Sequence, residues 1–437
     1  MIFTIYILFT IAFFLLLNFL FKTLFHKGFT FKLGLAFGVL YFIFIPVGIL
    51  LLTGKVNLVK TDFGITTLTD VFLKKDTKAS LILISYIFSL IFYLYFFKIK
   101  DYKKNKAFTP KLKQYFIVYF ASLFIILVGS GLLKGGNWYE ARYSFMVKNG
   151  ALAILLLFVI NAAKILIISS IIYLWTSGKL NFKLFLLYII SFTLFDMIVS
   201  GNRIYLFSTF VIVGLIFLKR YPLKILISLP FLVPLIYYIG YFASLFRHMR
   251  APLFAKGIPT FEVFKSTFAR AVRLDPPNLT SFFLNISESV NFNVIYNIIN
   301  HYDKSLYGAT YFKIFVYFVP RSMWAHKPES ITKITADFFG SASLVTTIFG
   351  ELQMNFSYLG IFLLPLILFL TESLLSYFKY NSPVFNYILF IMGLLFFRMP
   401  FSDELLTYLI LVFMVYVFNV KFVFKKAYDN TIKKKVY

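Results

Sequence analysis

Three arginines of this chain stand in settings suited to binding an anion. Arg203 closes the turn Ser200-Gly201-Asn202-Arg203 between two short apolar runs, with Asp196 two helical turns before it. Arg321 lies in Pro320-Arg321-Ser322-Met323-Trp324-Ala325-His326-Lys327-Pro328, where two prolines fix the backbone around Arg, Trp, His and Lys. Arg398 opens Arg398-Met399-Pro400-Phe401-Ser402-Asp403-Glu404. A guanidinium is a planar fork of donors that matches phosphate or carboxylate oxygens two at a time. A Trp face packs on sugar rings and its N–H reaches a hydroxyl. Each setting has a structural alternative: Asp196 can pair with Arg203 across the hairpin, and Asp403 and Glu404 with Arg398. The chain has no cysteine, which removes disulfides, thiolate metal sites and Cys nucleophiles. Its four histidines show no HxxH spacing, so no zinc-enzyme signature is present.

The elements that must hold these residues are set by composition. Of 437 residues, 60% are hydrophobic and 21% aromatic, and only 14% are charged. A soluble chain carries about 25% charged residues. A soluble globular enzyme, a disordered chain and a collagen-like repeat are therefore excluded. Continuous apolar runs of about 20 residues cross a bilayer as helices. Eleven such runs are predicted, at 2–21, 34–53, 79–97, 115–133, 151–174, 184–200, 204–218, 225–246, 355–377, 384–399 and 404–420. The runs are continuous rather than alternating, which excludes a transmembrane β-barrel. The first run lacks a cleavage site and reads as a retained span that also targets the chain. The expected fold is an all-α polytopic membrane protein with one long outer loop.

Short basic loops face the cytoplasm. With the N-terminus outside, the inner side collects 22 basic residues against Asp101 and Asp429, and the C-terminal tail 421–437 is cytoplasmic. All but one of those 22 are lysines, the exception being Arg220. The other eight arginines (142, 203, 247, 250, 270, 273, 321 and 398) fall on the outer side. The positive-inside rule does not account for them. They point to an outer-leaflet site for an anion such as a lipid phosphate or diphosphate; alternatively they snorkel to headgroups or pair with thirteen outer acids. Residues 1–246 hold eight spans, 247–350 form the long loop, 351–420 hold three spans, and 421–437 form the tail. Within the loop, Phe261, Phe264, Phe268 and Val272 share one helical face opposite Glu262, Lys265, Arg270 and Arg273, a pattern suited to the membrane interface. Helices are also expected at 286–300 and 311–319. Lys164 and Glu372 lie inside spans at similar calculated depth, which suggests that they pair.

Taken together, Ser200-Gly201-Asn202-Arg203, then Pro320-Arg321-x-x-Trp324-x-x-Lys327-Pro328, then Gly350-Glu351-Leu352-x-x-Asn355-Phe356-x-x-x-Gly360, resemble the Wzy-type oligosaccharide repeat-unit polymerases of O-antigen and capsule assembly. The resemblance covers roughly 196–375. It implies a GT-C-like, metal-independent membrane glycosyltransferase without cofactors, in the bacterial inner membrane with its active site facing the periplasm. Its substrate would be an undecaprenyl-diphosphate-linked oligosaccharide, in contact with membrane lipids. A chain-length regulator would be a protein partner, and nucleic acid would not be one. The growing chain moves from its lipid carrier to a hydroxyl of the next lipid-linked unit. On this resemblance Arg203 and Arg321 meet the diphosphate, with Arg398 as a third contributor. Lys327 assists and Trp324 packs on a sugar, while Asp196 orients Arg203. Glu140, His301, Asp303, Glu351, Asp403 and Glu404 are the outer candidates for substrate contact or for the general base. An O-antigen ligase shares the donor, and a flippase for the same lipid-linked sugar is the alternative from a different class.

Overall fold

The computed structural model describes residues 2–53, 77–99, 108–131, 138–200, 203–254, 260–273, 279, 282, 290–317, 319, 323–339, 344–380 and 382–435. Among them all regular structure is helical. In chain order the helices are α1 (Ile2–His26), α2 (Phe31–Val39), α3 (Ile45–Thr53), α4 (Thr77–Phe96), α5 (Leu112–Gly129), α6 (Trp138–Thr176), α7 (Phe182–Ser200), α8 (Ile204–Arg220) and α9 (Pro222–Phe254). Then follow α10 (Phe261–Val272), α11 (Val290–His301), α12 (Ala309–Val316), α13 (Ile331–Phe339), α14 (Thr347–Phe356), α15 (Leu359–Phe378), α16 (Pro383–Leu395) and α17 (Phe401–Lys435). A single π-helical stretch, Leu40–Phe44, joins α2 to α3 into one rod.

Seven stretches are long and apolar enough to cross a bilayer: Phe3–His26, Phe31–Ile49, Thr77–Phe96, Leu112–Gly129, Leu152–Thr176, Leu359–Phe378 and Phe401–Phe418. The expected run at 384–399 is the shorter apolar helix α16. Helices α7, α8 and α9 occupy the other three expected runs, but they are not among the seven. The chain is thus a polytopic, all-helical membrane protein among its described residues.

Contacts at the two ends of the bundle sort the helix termini. At one end Lys32 at the start of α2 donates to the Phe97 carbonyl just after α4 and pairs with Glu372 of α15 at 3.8 Å. At the same end Tyr387 at the start of α16 bonds to Thr176 at the end of α6, at 3.3 Å. Toward the other end Tyr86, midway along α4, donates to Gln353 at 3.1 Å, and the Ile348 amide donates to the Phe396 carbonyl at 3.0 Å. Helices α2 and α16 therefore run in the same direction, and α4 and α15 run opposite to them.

The tightest packing joins α2 and α16. Gly34 and Gly38 lie one helical turn apart on α2, and Gly393 faces them from α16. A Cβ on Gly34 would overlap the Phe390 carbonyl, and a Cβ on Gly393 would overlap the Phe31 carbonyl. Small residues four apart let two helix backbones touch, which is a main source of attraction where lipid removes the hydrophobic drive. Gly393→Val should therefore force the pair apart and cost about 1–3 kcal/mol, read as a lower melting temperature of the detergent-solubilised protein. An unchanged melting temperature would show that this contact is not tight.

The long loop has its own core. Val294 and Ile298 of α11, Ile331 and Phe339 of α13, and Met354 of α14 form a buried cluster. Helix α10 forms where expected, capped by Thr260, whose hydroxyl accepts from the Val263 amide at 3.3 Å. Its Phe264 and Phe268 are partly buried against Leu245 and Met249 of α9, while Phe261 and Val272 remain exposed. The expected helix at 286–300 begins at Val290 among the described residues, and that at 311–319 is α12, ending at Val316. The expected span at 355–377 is corrected. Residues up to Phe356 belong to α14, a separate buried helix bounded by positive φ at Thr347 (58°) and Ser357 (50°).

Candidate functional site: a polar cluster around the turn between α16 and α17

Helix α14 is where the polar groups begin to converge. Glu351 is fully buried and receives the Thr310 hydroxyl of α12 at 2.8 Å and the Ser402 amide of α17 at 3.2 Å. Asn355, one turn later, donates to Thr310 Oγ1 at 2.8 Å and to the Glu351 carbonyl at 2.8 Å. The Tyr307 amide and the Ser305 hydroxyl donate to the Asn355 carbonyl at 2.9 and 2.8 Å. One carboxylate and one amide thus lock α12, α14 and the start of α17 together. The spacing Glu351 to Asn355 is one turn, which puts both on the face toward Thr310. Gly350 and Gly360 serve the same packing: a Cβ on Gly350 would crowd Ile298, and one on Gly360 would crowd the Tyr86 hydroxyl and the Leu352 carbonyl.

Burial pushes the Glu351 carboxyl up to about 7, because an ion there loses its hydration. The hydrogen bonds from Ser402 and Thr310 oppose this, and the nearby negative Asp403 adds to it. The folded chain therefore holds a proton on Glu351 that an unfolded carboxyl releases at about 4.5. The folded state binds more protons across that window, so stability falls as pH rises from about 4.5 to about 7. Glu351→Gln should flatten this slope while keeping most of the hydrogen bonds. Glu351→Ala should leave the Thr310 hydroxyl and the Ser402 amide without the acceptors they use, at about 1–3 kcal/mol per orphaned group. Thermal unfolding of the three proteins across that pH range distinguishes these outcomes; a pH slope retained in Glu351→Gln would assign it elsewhere.

The turn from α16 to α17 carries the rest. Arg398 is half-buried there, and its backbone amide donates to the Leu395 carbonyl at 2.8 Å. Asp403 is half-buried; its Oδ2 accepts from Thr332 Oγ1 at 3.1 Å, and Lys313 of α12 lies within electrostatic reach. Glu404 is fully buried, and neither of its oxygens has a hydrogen-bond partner among the described residues. Tyr205, near the start of α8 and two residues after Arg203, is also buried with an unpartnered hydroxyl. It lies within electrostatic reach of Glu404, Asp196 and Arg398. Arg203 itself is half-buried beside it in sequence.

Lys164 and Glu372 do not form the expected pair. Lys164 of α6 bonds to Asp196 of α7 at 2.7 Å, and both side chains are about 2–3% exposed. Tyr119 of α5 donates to the same Asp196 oxygen at 2.8 Å, and the Lys164 ammonium lies 5.1 Å from the Tyr205 ring centre. Glu372 instead accepts from Tyr93 and pairs with Lys32. The reason is a difference in depth. Asp196 is four residues from the end of α7, yet it meets Tyr119, ten residues from the end of α5. At 1.5 Å per residue the end of α7 lies about 9 Å deeper than the end of α5. The end of α7 is recessed into the bundle relative to α5, so distance counted from the end of each apolar run misplaces its residues. Asp196 is held by Lys164 and Tyr119, rather than serving only as a partner for Arg203.

The remaining candidates divide sharply. Lys327 is buried and donates to the Tyr317 and Val319 carbonyls, the latter at 2.8 Å. These bonds tie residue 327 back to the end of α12. Trp324 is half-exposed and lies edge-on to Phe312 at 6.2 Å. His301 and Asp303 are exposed at the end of α11, and no described contact joins them to this cluster. Arg321 and the Glu140 side chain lie outside the described residues, as do the side chains of Arg142, Arg247 and Arg250. Arg270 and Arg273 are exposed on α10. Thr310, Ser402 and Tyr205 join the cluster without having been singled out from the sequence. A hydroxyl residue gives no signal of its own until its partner is known. Among the described residues no group of three His, Cys, Asp or Glu is arranged to hold a metal.

Comparison with protein-family models, with curated proteins and with solved structures finds no match to this chain.

Proposed function

We propose that the chain is a bacterial inner-membrane glycosyltransferase that polymerises undecaprenyl-diphosphate-linked repeat units. In this reading eleven helices cross the bilayer, the long loop is periplasmic and the tail is cytoplasmic. One observation carries the proposal. Segments far apart in sequence meet around the turn between α16 and α17. Glu351 of α14 touches Ser402 there, α12 and α13 reach Asp403 through Lys313 and Thr332, and Tyr205 of α8 reaches Glu404 and Arg398.

The chemistry follows from the charges. The bond between the sugar anomeric carbon and the diphosphate oxygen breaks, and that carbon bonds to the acceptor hydroxyl oxygen. Negative charge builds on the leaving diphosphate, where Arg203, Arg398 and, by the resemblance, Arg321 supply donors. The acceptor proton passes to Glu404, whose oxygens accept no hydrogen bond from the described residues. The recessed end of α7 and the buried Lys164–Asp196 pair hold Arg203 and Tyr205 in place below the outer surface.

Deleting the gene in the native host tests the reading. A polymerase leaves single repeat units attached to the surface acceptor. Loss of all repeat units there would indicate a ligase, and accumulation of lipid-linked units on the cytoplasmic face a flippase; either result overturns the proposal.

A further inference from the structure

Helix α12 has two unlike faces. Thr310 and Ile314 are buried, with Thr310 bonded to Glu351. The opposite face carries Phe312 and Phe315, and Phe315 is 81% exposed. Tyr307 just before the helix is 88% exposed, and Met323 in the following turn is 80% exposed. With Trp324 against Phe312, this makes a patch of large apolar side chains that no described part of the chain covers.

The patch is continuous with a lipid-facing surface. On α15 the exposed residues Leu359, Phe362, Leu366 and Leu370 form one stripe at helical spacing along a candidate span. The stripe begins beside Tyr358, itself exposed. The residues just before it are bonded to the start of α12: the Leu306 amide to the Met354 carbonyl at 3.0 Å, and the Tyr307 amide to the Asn355 carbonyl at 2.9 Å. The Tyr311 ring stacks on Phe356 at 5.8 Å. The patch therefore adjoins the Tyr358 end of the lipid-facing stripe of α15. Aromatic rings with polar tips favour this level, between acyl chains and headgroups.

We infer that the exposed face of α12, with Tyr307, Phe312, Phe315, Met323 and Trp324, is immersed in the lipid interface at the mouth of the bundle. Its occupant is phospholipid, not a second protein. Resting on the proposed function, the consequence is geometric. The Glu351 and Asp403 cluster sits on the far side of one helix, about 10 Å across, so a lipid-anchored diphosphate reaches it while its hydrocarbon tail stays in the bilayer.

The absence of cysteine makes the test direct, because an introduced thiol is the sole labelling site. Met323→Cys and Phe315→Cys are labelled with a nitroxide in the full chain, in liposomes of phosphatidylethanolamine and phosphatidylglycerol. Collision with oxygen, which partitions into lipid, is compared with collision with a water-soluble nickel chelate. Phe362→Cys on α15 gives the lipid reference and Asp303→Cys the aqueous one. Both test labels are expected to favour oxygen several-fold, as the label at 362 does. A preference for nickel like that at 303 would overturn the inference, and dipolar broadening between labels would overturn it in favour of a second copy of the chain. Met323 lies in a turn with most of its side chain exposed, so its variant decides the matter even if Phe315→Cys fails to fold. Label depth does not depend on activity, so its outcome is separate from that of the deletion experiment.

Discussion

Lys164→Met is expected to lower stability by about 3–5 kcal/mol, because it leaves the Asp196 carboxylate buried without its countercharge. Both charges are nearly inaccessible, and the 2.7 Å bond and the Tyr119 hydroxyl are what compensate for the lost hydration of Asp196. The double change Lys164→Met with Asp196→Asn should recover most of that loss, since a neutral amide still accepts from Tyr119. Thermal unfolding in detergent measures all three variants. If the double variant loses as much as the two singles combined, the side chains are not coupled. The pair also sets the recessed end of α7, so Lys164→Met should reduce activity beyond its effect on protein abundance, through the displaced Arg203 and Tyr205.

Arg398→Lys is expected to reduce polymerisation by about 100–1000-fold, the scale of removing one donor from a developing anion. The charge remains but the planar fork is lost. Abundance and melting temperature should change little, because the positive charge is kept and the backbone amide of residue 398 donates to the Leu395 carbonyl whichever side chain is present. Arg203→Lys should behave alike. The readout is the length distribution of surface polysaccharide in a deletion strain carrying each variant. Full-length polymer with Arg398→Lys would remove that residue from the site.

Membrane-spanning helices were legible because hydrocarbon demands long, continuous apolar runs, and seven expected runs stand as long apolar helices. Helix α14 was not legible as a separate element. Its apolar residues run on into those of α15, and the break falls at Ser357, whose positive φ is not signalled by a glycine. The close approach of Gly34 and Gly38 to α16 was not read from the sequence, because small residues four apart do not say which helix will face them. The partners of Lys164 and Glu372 depended on how deeply each turn sits. That depth is fixed by packing between helices and not by the length of any one run. Among the candidate residues, Glu351, Asp403, Glu404 and Arg398 gather around one turn. His301 and Asp303 are exposed, and no described contact joins them to that cluster. Lys327 combined a functional residue type with a structural task, since its ammonium satisfies two backbone carbonyls.

The most direct measurement places the purified chain in liposomes with the lipid-diphosphate-linked oligosaccharide extracted from its native host, and follows lipid-linked chain length by gel and mass spectrometry. The expected result is a ladder spaced by whole repeat units, with free undecaprenyl diphosphate released at each step and only single units with Arg398→Lys. Unextended single units with the native protein, under conditions where it is folded, would contradict the proposed polymerase activity.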